Sequence, residues 1–237
     1  MKKIALLMPG HIRSYNKIRE NIRENLIEPL EKTGHQCSIY SSVWHNSGFR
    51  ENNWGGVEDL TLIEQDSERL EVEHHDRHHF VNSYATNKWK NYSHLSGPET
   101  CGDAVSMWYK IWKCFNMMEE EFDIVFRLRP DIYFQNKFDP KLLEEVKPGV
   151  VCMSEWHGKY EVVTCRTMDH FAFGDFPTMK LYCSVFPNIY DIIKRDDCPH
   201  TGEGFLFSTI GHNNLMVKRV PVRYGVMRTY GVENVTP

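Results

Sequence analysis

The feature that most constrains the fold is the opening succession of a short apolar run, an amphipathic segment and a second β-forming run. Residues 4–8 are wholly apolar and are followed by Pro9-Gly10, which is typical of a strand buried on both faces of a parallel sheet. Residues 15–32 repeat apolar side chains at helical spacing, and residues 37–44 are rich in β-forming types. A strand, a helix and a strand in this order predict one βαβ unit.

The same alternation continues along the chain. We predict further helices over residues 103–121, 139–146, 176–195 and 202–213, and further strands over residues 60–63, 122–128, 150–154, 171–173 and 215–223. No repeat, low-complexity tract or change of composition divides the sequence. Alternating strands and helices of one composition predict a single α/β domain over residues 1–237.

Composition excludes several classes of protein. The 237 residues carry a formal net charge of −4, so the chain lacks the global basic character of a nucleic-acid-binding or membrane-surface protein. No run approaches the roughly 18 apolar residues of a membrane span, and the apolar stretch near the start is shorter than that of a secretory signal. We therefore expect a cytoplasmic protein with no nucleic-acid partner and no membrane span.

The first candidate site follows the first predicted strand and contains Gly10, His11 and Arg13. Ligands of open α/β sheets bind outside the carboxyl ends of the strands. Gly10 allows a ligand close to the backbone, Arg13 is suited to a phosphate, and a helix N-terminus follows. The alternative is a tight turn with an exposed arginine, because neither common glycine-rich nucleotide motif is present.

The second candidate site is the sequence Arg127-Leu128-Arg129-Pro130-Asp131, which ends the most apolar predicted strand. Strand alternation places Arg127 and Arg129 on one face and Leu128 on the other. Two guanidinium groups beside a carboxylate are costly to bury unless they bind something. A diphosphate, or a metal-diphosphate held by Asp131, satisfies these charges. The alternative is an internal arginine–aspartate salt bridge that fixes a loop.

Five segments of the chain together resemble one enzyme family. They are residues 4–14, 40–44, 106–110, 127–134 and 169–174. In this order they are similar to the strand-loop start, the second strand, the helix before the central strand, the R-x-R-P/F-D-x-x-F motif and the D-x-F-A-F-G segment of small GT-A-type glycosyltransferases. This family occurs in bacteria and in large viruses of algae. The resemblance covers almost the whole chain.

The resemblance implies a GT-A-like three-layer α/β/α sandwich with a mainly parallel central sheet. Residues 1–135 would bind a nucleoside diphosphate sugar, with donor contacts from the two candidate sites, and residues 136–237 would bind a glycan acceptor. Many GT-A enzymes hold Mn²⁺ or Mg²⁺ with the last carboxylate of a D-x-D motif. Here the matching place reads Arg129-Pro130-Asp131, so Asp131 is the remaining candidate metal ligand. Either Asp131 and the phosphates hold the metal, or the arginines neutralise the diphosphate directly.

Two carboxylates in the carboxyl-terminal half are candidates for the catalytic base. Glu203 lies near the start of a predicted helix, where inverting GT-A enzymes place such a carboxylate, and Asp169 precedes an apolar strand. We expect the helix dipole to keep Glu203 ionised and burial to raise the pKa of Asp169. The alternatives are a glutamate that only complements the helix dipole and an aspartate that caps a turn.

The resemblance and the residue types also suggest contacts to an acceptor sugar. The expected acceptor contacts are Asp169, His170, Trp156 and His200. Trp156 follows a predicted strand, and an exposed tryptophan has a flat apolar face that suits a sugar ring. Two other functions stay open at this point: a non-catalytic sugar- or nucleotide-binding module, and a nucleotidyltransferase, although the glycine- and lysine-rich early loop of such enzymes is missing.

Overall fold

The fold is described from a computed structural model. The described residues are 1–12, 14–45, 60–74, 77–84, 98–154, 169–195, 198, 200–228 and 231–234. Their strands are β1 (Lys3–Leu7), β2 (Gly10–His11), β3 (Gln36–His45), β4 (Arg69–His74), β5 (Ile124–Leu128), β6 (Ile132–Phe134), β7 (Val150–Ser154), β8 (Phe171–Gly174), β9 (Met216–Val220), β10 (Tyr224–Arg228) and β11 (Gly231–Asn234).

The helices alternate with the strands along the chain. They are α1 (Tyr15–Ile22), which continues through a π-helical turn (Arg23–Ile27) into α2 (Glu28–Lys32), then α3 (Thr61–Asp66), α4 (Arg77–Tyr84), α5 (Pro98–Asn116), α6 (Phe176–Tyr182), α7 (Ile189–Arg195) and α8 (Gly202–His212). Short 3₁₀ helices cover Pro140–Glu145 and Cys183–Asn188. Within the described ranges, no helix combines the length and the apolar character that crossing a membrane requires.

One mainly parallel sheet organises the molecule. Its strand order is β2-β3-β1-β5-β8-β7-β9. β4 lies outside this order and also pairs with β3. β1 is parallel to both β3 and β5, whereas β8 is antiparallel to β5 and to β7. The pairing of β5 with β8 joins the two halves of the chain in one sheet. A second sheet, β11-β10-β6, lies beyond the end of β5.

Alternation along the buried strands divides the core into two layers. In β1, Ile4 and Leu6 pack on the side of α1, and Ala5 and Leu7 pack on the side of α5. Each of these four side chains is fully buried. Full burial on both faces explains why the strand reads as a continuous apolar run. The predicted α/β sandwich with a mainly parallel sheet and helices on both faces is therefore confirmed.

The sequence predictions failed mainly at short and edge elements. Residues 60–63 were predicted as a strand, but Thr61–Asp66 is a helix that buries Ile63. β4 was not predicted, although Leu70 and Val72 alternate with charged residues, because it is an edge strand whose side chains stay largely exposed. The predicted strand over residues 215–223 ends at Val220. β10 and β11 follow it as strands of the second sheet.

Candidate functional site

The sheet topology gathers the candidate residues at the carboxyl edge of β1 and β5. Because β8 is antiparallel to β5, the residues just before β8 lie at the same edge as those just after β5. Leu128 is paired with Phe171, and the backbone N–H of Arg129 donates to the carbonyl oxygen of His170 at 3.1 Å. This pairing brings Asp169 and His170 beside Arg127 and Arg129.

Arg127 is a buried arginine with an incomplete set of hydrogen bonds. It pairs with Leu7 and Ala172, which both belong to the core layer on the α5 side, while Leu128 packs in the opposite layer. Its exposure is 1%. Among the described residues, neither Nε nor Nη1 of Arg127 has a hydrogen-bond partner. A buried guanidinium in this state carries a desolvation cost that an anionic ligand would offset.

Arg129 differs from Arg127 because it is paired within the chain. Its Nε and Nη2 atoms donate to Oδ1 and Oδ2 of Asp131 at 2.8 and 2.9 Å. Burial by itself lowers the pKa of Arg129, but the Asp131 carboxylate outweighs burial and raises it. The carbonyl oxygen of Asp131 also accepts from the backbone N–H of Met227 at 2.8 Å. The internal salt bridge that the sequence left open is therefore present for Arg129.

The first turn of α8 packs directly onto Asp169. A Cβ atom at Gly202 would lie 3.0 Å from Oδ2 of Asp169, so glycine permits this close approach. Thr201 caps the helix, since its Oγ1 accepts from the backbone N–H of Gly204 at 3.1 Å. Trp108 of α5 donates its Nε1–H to the carbonyl oxygen of Gly202 at 3.1 Å. These contacts hold Glu203, the next residue, beside Asp169.

The two carboxyl groups have opposite proton affinities. Burial, followed by the negative charge of Asp169, raises the pKa of Glu203 to about 7. Burial alone would raise the pKa of Asp169, but the charges of His170, Arg127 and Arg129 outweigh it and lower that pKa. The sequence predicted the reverse order, and that prediction was wrong. The helix dipole at α8 is weaker than the combined effect of desolvation and a neighbouring carboxylate.

His170 completes the electrostatic environment of Asp169. Its Nε2 atom lies 3.4 Å from Oδ1 of Asp169. Burial, together with the charges of Arg129 and Arg127, lowers the pKa of His170 to about 4. The ring is therefore neutral at pH 7, and the two guanidinium groups are the cations that keep Asp169 ionised there.

The first predicted site approaches the same edge from β2. Gly10 has a φ of +111°, a conformation that favours glycine, and β2 pairs with β3 at Val43 and Trp44. Ser14 donates its Oγ–H to the carbonyl oxygen of Met227 at 2.9 Å. The loop that carries Gly10 and His11 therefore adjoins the strand that also binds the backbone of Asp131. Arg13 lies outside the described residues.

Two of the four predicted acceptor residues are at the site. Asp169 and His170 line it, whereas Trp156 lies outside the described residues. The His200 side chain is fully buried, and its ring stacks on Phe205 at a centroid distance of 5.5 Å. In this conformation the ring packs against the first turn of α8, and an acceptor contact of His200 stays a prediction.

Two tyrosines at the site were not predicted. Tyr182 and Tyr224 are fully buried, and burial is the largest cause of the raised pKa of each. Among the described residues, the hydroxyl of Tyr182 has no hydrogen-bond partner. Its pKa is affected by the charges of Arg127 and Asp169, which places it in the same cluster. Its position in an apolar helical stretch resembles that of any core aromatic residue, so the sequence carried no signal for it.

The described residues do not fit a metal ion held by Asp131. Both of its oxygens accept from Arg129, and the residue is 1% exposed. In the part of the chain that the structure describes, no three His, Cys, Asp or Glu side chains are grouped so that they could hold a metal ion. Mg²⁺ and Mn²⁺ prefer oxygen ligands with space for several waters, which this buried ion pair does not offer.

Comparisons with known proteins give one named structural likeness. No protein-family model matches the chain, and no curated protein matches it either. Among solved structures, the chain is similar to the crystal structure of mouse xyloside xylosyltransferase 1 in its apo form. The sequence identity is 10% and the TM-score is 0.43, over 92% of this chain and 84% of that one. A likeness of this strength does not assign an activity to the chain.

Proposed function

We propose that the protein is a glycosyltransferase that moves a sugar from a nucleoside diphosphate sugar to a hydroxyl group of a glycan. The observation that supports this most is the pair Asp169 and Glu203, two adjacent carboxyl groups of opposite proton affinity beside the incompletely bonded Arg127. Carboxyl pairs whose environments separate their pKa values are typical of acid–base sites.

Glu203 is the proposed general base. Transfer to an acceptor hydroxyl needs a group that takes its proton, and a base with a pKa near the working pH does this efficiently. The raised pKa of Glu203, about 7, meets that requirement. Asp169 stays ionised and is proposed to accept hydrogen bonds from other hydroxyls of the acceptor. Acceptor contacts from His170 and Trp156 belong to the same proposal.

Arg127 and Arg129 are proposed to bind the diphosphate of the donor. An anion that accepts from Arg127 Nε and Nη1 would complete the hydrogen bonds that the described residues leave open. The Arg127 guanidinium would also stabilise the negative charge that develops on the leaving diphosphate. Arg129 adds positive charge beside it, and Gly10, His11 and Arg13 are further proposed donor contacts. The described residues do not fit a metal on Asp131, because both of its oxygens accept from Arg129.

The proposal is tested with a panel of UDP-, GDP-, CDP- and ADP-sugars, by measuring diphosphate release with and without glycan acceptors. Glu203→Gln is expected to lower turnover by about 10²–10⁴-fold, the usual cost of losing a general base, while donor affinity is kept. Asp169→Asn is expected chiefly to raise the KM for the acceptor. Glu145→Gln is the matched control, since that carboxylate faces Lys218 at the surface.

The outcomes separate the competing functions. Binding of a nucleotide sugar without any turnover supports a non-catalytic binding module. Release of pyrophosphate from a nucleoside triphosphate supports a nucleotidyltransferase. Near-normal turnover of the Glu203→Gln variant removes the base assignment and leaves Asp169 as base, or a retaining mechanism that needs none.

A further inference from the structure

Asp131 occupies the position where the sequence resemblance implies a metal ligand, yet its contacts are those of a structural ion pair. The carboxylate and the Arg129 guanidinium face each other through two parallel hydrogen bonds of 2.8 and 2.9 Å. Backbone bonds hold both residues in place: Ile132 N–H donates to Arg129 O at 3.2 Å, and Met227 N–H donates to Asp131 O at 2.8 Å. The pair therefore fixes the turn between β5 and β6 to β10.

A divalent cation on Asp131 would have to displace this pairing. The guanidinium already occupies the side of the carboxylate on which a cation would bind, and its charge repels another cation. Asp131 is 1% exposed, so there is little space around it for the waters that Mg²⁺ usually keeps. Within the described ranges, no cluster of three possible ligands stands ready to take over.

Among the described residues, Arg127 is a fully buried cation at this edge with bonding capacity left open. Nε and Nη1 lack partners among the described residues, whereas the Nε and Nη2 atoms of Arg129 are both engaged. We infer that the site balances the charge of its diphosphate ligand with the guanidinium of Arg127 and holds no divalent cation on Asp131. This inference rests on the proposed function for the identity of the ligand, but its statement about Asp131 does not.

The first test uses Mn²⁺ alone and therefore needs no donor. Mn²⁺ binding is measured by electron paramagnetic resonance with the wild-type chain and with Asp131→Asn. We expect the two chains to bind Mn²⁺ equally, because Asp131 does not hold the ion. A saturable site in the wild type that is lost in Asp131→Asn overturns the inference. If Asp131→Asn does not fold, Arg129→Gln serves instead: a Mn²⁺ site that appears when the guanidinium is removed supports the blocking role of Arg129. A site of equal affinity in wild type and Arg129→Gln overturns it.

The second test uses UDP, GDP, CDP and ADP in calorimetric titrations with EDTA or with Mn²⁺. The affinity of the nucleotide that binds is expected to differ by less than about twofold between the two conditions, and to fall by about 10- to 100-fold in Arg127→Gln, as loss of charge-assisted bonds implies. A tenfold or greater gain with Mn²⁺ overturns the inference. If none of the nucleotides binds in either condition, the donor assignment of the proposed function fails, and the Mn²⁺ experiment still decides the role of Asp131.

Discussion

Two clusters of arginine, aspartate and tyrosine lie on opposite faces of the main sheet, and they differ in completeness. On the α1 face, Arg19 donates to both oxygens of Asp66 at 2.5 and 2.6 Å, and Tyr15 adds a bond of 2.7 Å to the same carboxylate. On the other face, Arg127 and Tyr182 keep polar atoms without partners among the described residues. The same residue types therefore serve the fold in one place and leave bonding capacity open in the other.

The complete cluster has its bonds satisfied even though a cavity lies beside it. A cavity of about 160 Å³ adjoins the complete cluster and is lined in part by Arg19, Arg23 and Asp66. Burial opposes ionisation of Asp66, but the bonds from Arg19 and Tyr15 outweigh it and lower the pKa. Arg19, Tyr15 and Asp66 bond to one another, so nothing among these three residues calls for a ligand. By this criterion the Arg129–Asp131 pair belongs with the structural cluster.

Replacing each arginine by methionine keeps an unbranched apolar stem and removes the guanidinium charge. Arg127→Met is expected to weaken nucleoside diphosphate binding by about 10- to 100-fold, since bonds to a charged group contribute about 1.5–3 kcal/mol. Arg19→Met should leave that affinity within about twofold. Calorimetric titration of both variants measures the difference.

Stability should follow the opposite order in the same two variants. Arg19→Met removes the two hydrogen bonds that the Asp66 carboxylate accepts from Arg19. It should therefore lower the free energy of unfolding by about 1–3 kcal/mol. Arg127→Met removes a buried guanidinium whose Nε and Nη1 atoms have no hydrogen-bond partner among the described residues, so it should cost less than Arg19→Met although Arg127 is the more buried residue. Urea unfolding of the ligand-free variants provides the measurement. A larger loss for Arg127→Met would identify Arg127 as a structural counter-ion of Asp169.

The sequence predicted where these residues lie better than what they contact. Alternation placed Arg127 and Leu128 on opposite faces, and the register with β1 and β8 agrees. Whether a given arginine pairs with Asp131 depends on the turn after β5, which strand alternation does not describe. Arg129 is two residues from Asp131 and reaches it, whereas Arg127 points between β5 and the α5 layer.

The pKa order of Asp169 and Glu203 was beyond sequence reasoning for a related reason. Local features, a helix start and an apolar strand, predicted an ionised Glu203 and a raised pKa for Asp169. The observed order depends on His170 and on two residues distant along the chain, since the charges of His170, Arg127 and Arg129 lower the pKa of Asp169. The resulting negative charge adds to burial at Glu203. Such coupling depends on the close approach of the start of α8 to Asp169, which neither local pattern describes.

The next prediction concerns the pH dependence of stability at this pair. The pKa of Glu203 is about 7 in the folded chain, against an ordinary glutamate value of 4.5, so between these values the folded state binds more protons than the unfolded state. The free energy of unfolding therefore decreases as pH rises through that window, by roughly 3 kcal/mol in total. Glu203→Gln removes this slope and should be more stable than the wild type at pH 8.

The contribution of Asp169 has the opposite sign and provides the control. Its pKa is lowered in the folded chain, so the stability it contributes is present above its unfolded pKa and is lost as pH falls through the folded value. Asp169→Asn should therefore be less stable than the wild type at pH 8 and should lose the acid-side slope. Denaturation curves collected between pH 2 and pH 8 cover both windows, since the Asp169 window lies below the ordinary aspartate pKa of 3.8. If Glu203→Gln keeps the wild-type slope, Glu203 does not hold the proton.

The smallest predicted effect tests the close approach of α8 to Asp169, with a second glycine of the same helix as control. A Cβ atom at Gly202 would lie 3.0 Å from Asp169 Oδ2 and 2.9 Å from Met107 Cε, whereas at Gly211 it would meet nothing within 4 Å. Gly211→Ala should stabilise the chain by about 0.5–1 kcal/mol, the usual gain in a helix. Gly202→Ala should not show that gain. The Met107 methyl group can move away from the added Cβ, but the buried Asp169 carboxylate has little space into which it could move. A Gly202→Ala variant as stable as Gly211→Ala, with the same pH slope as the wild type, would show that the distance between α8 and Asp169 does not set the proton affinity of Glu203.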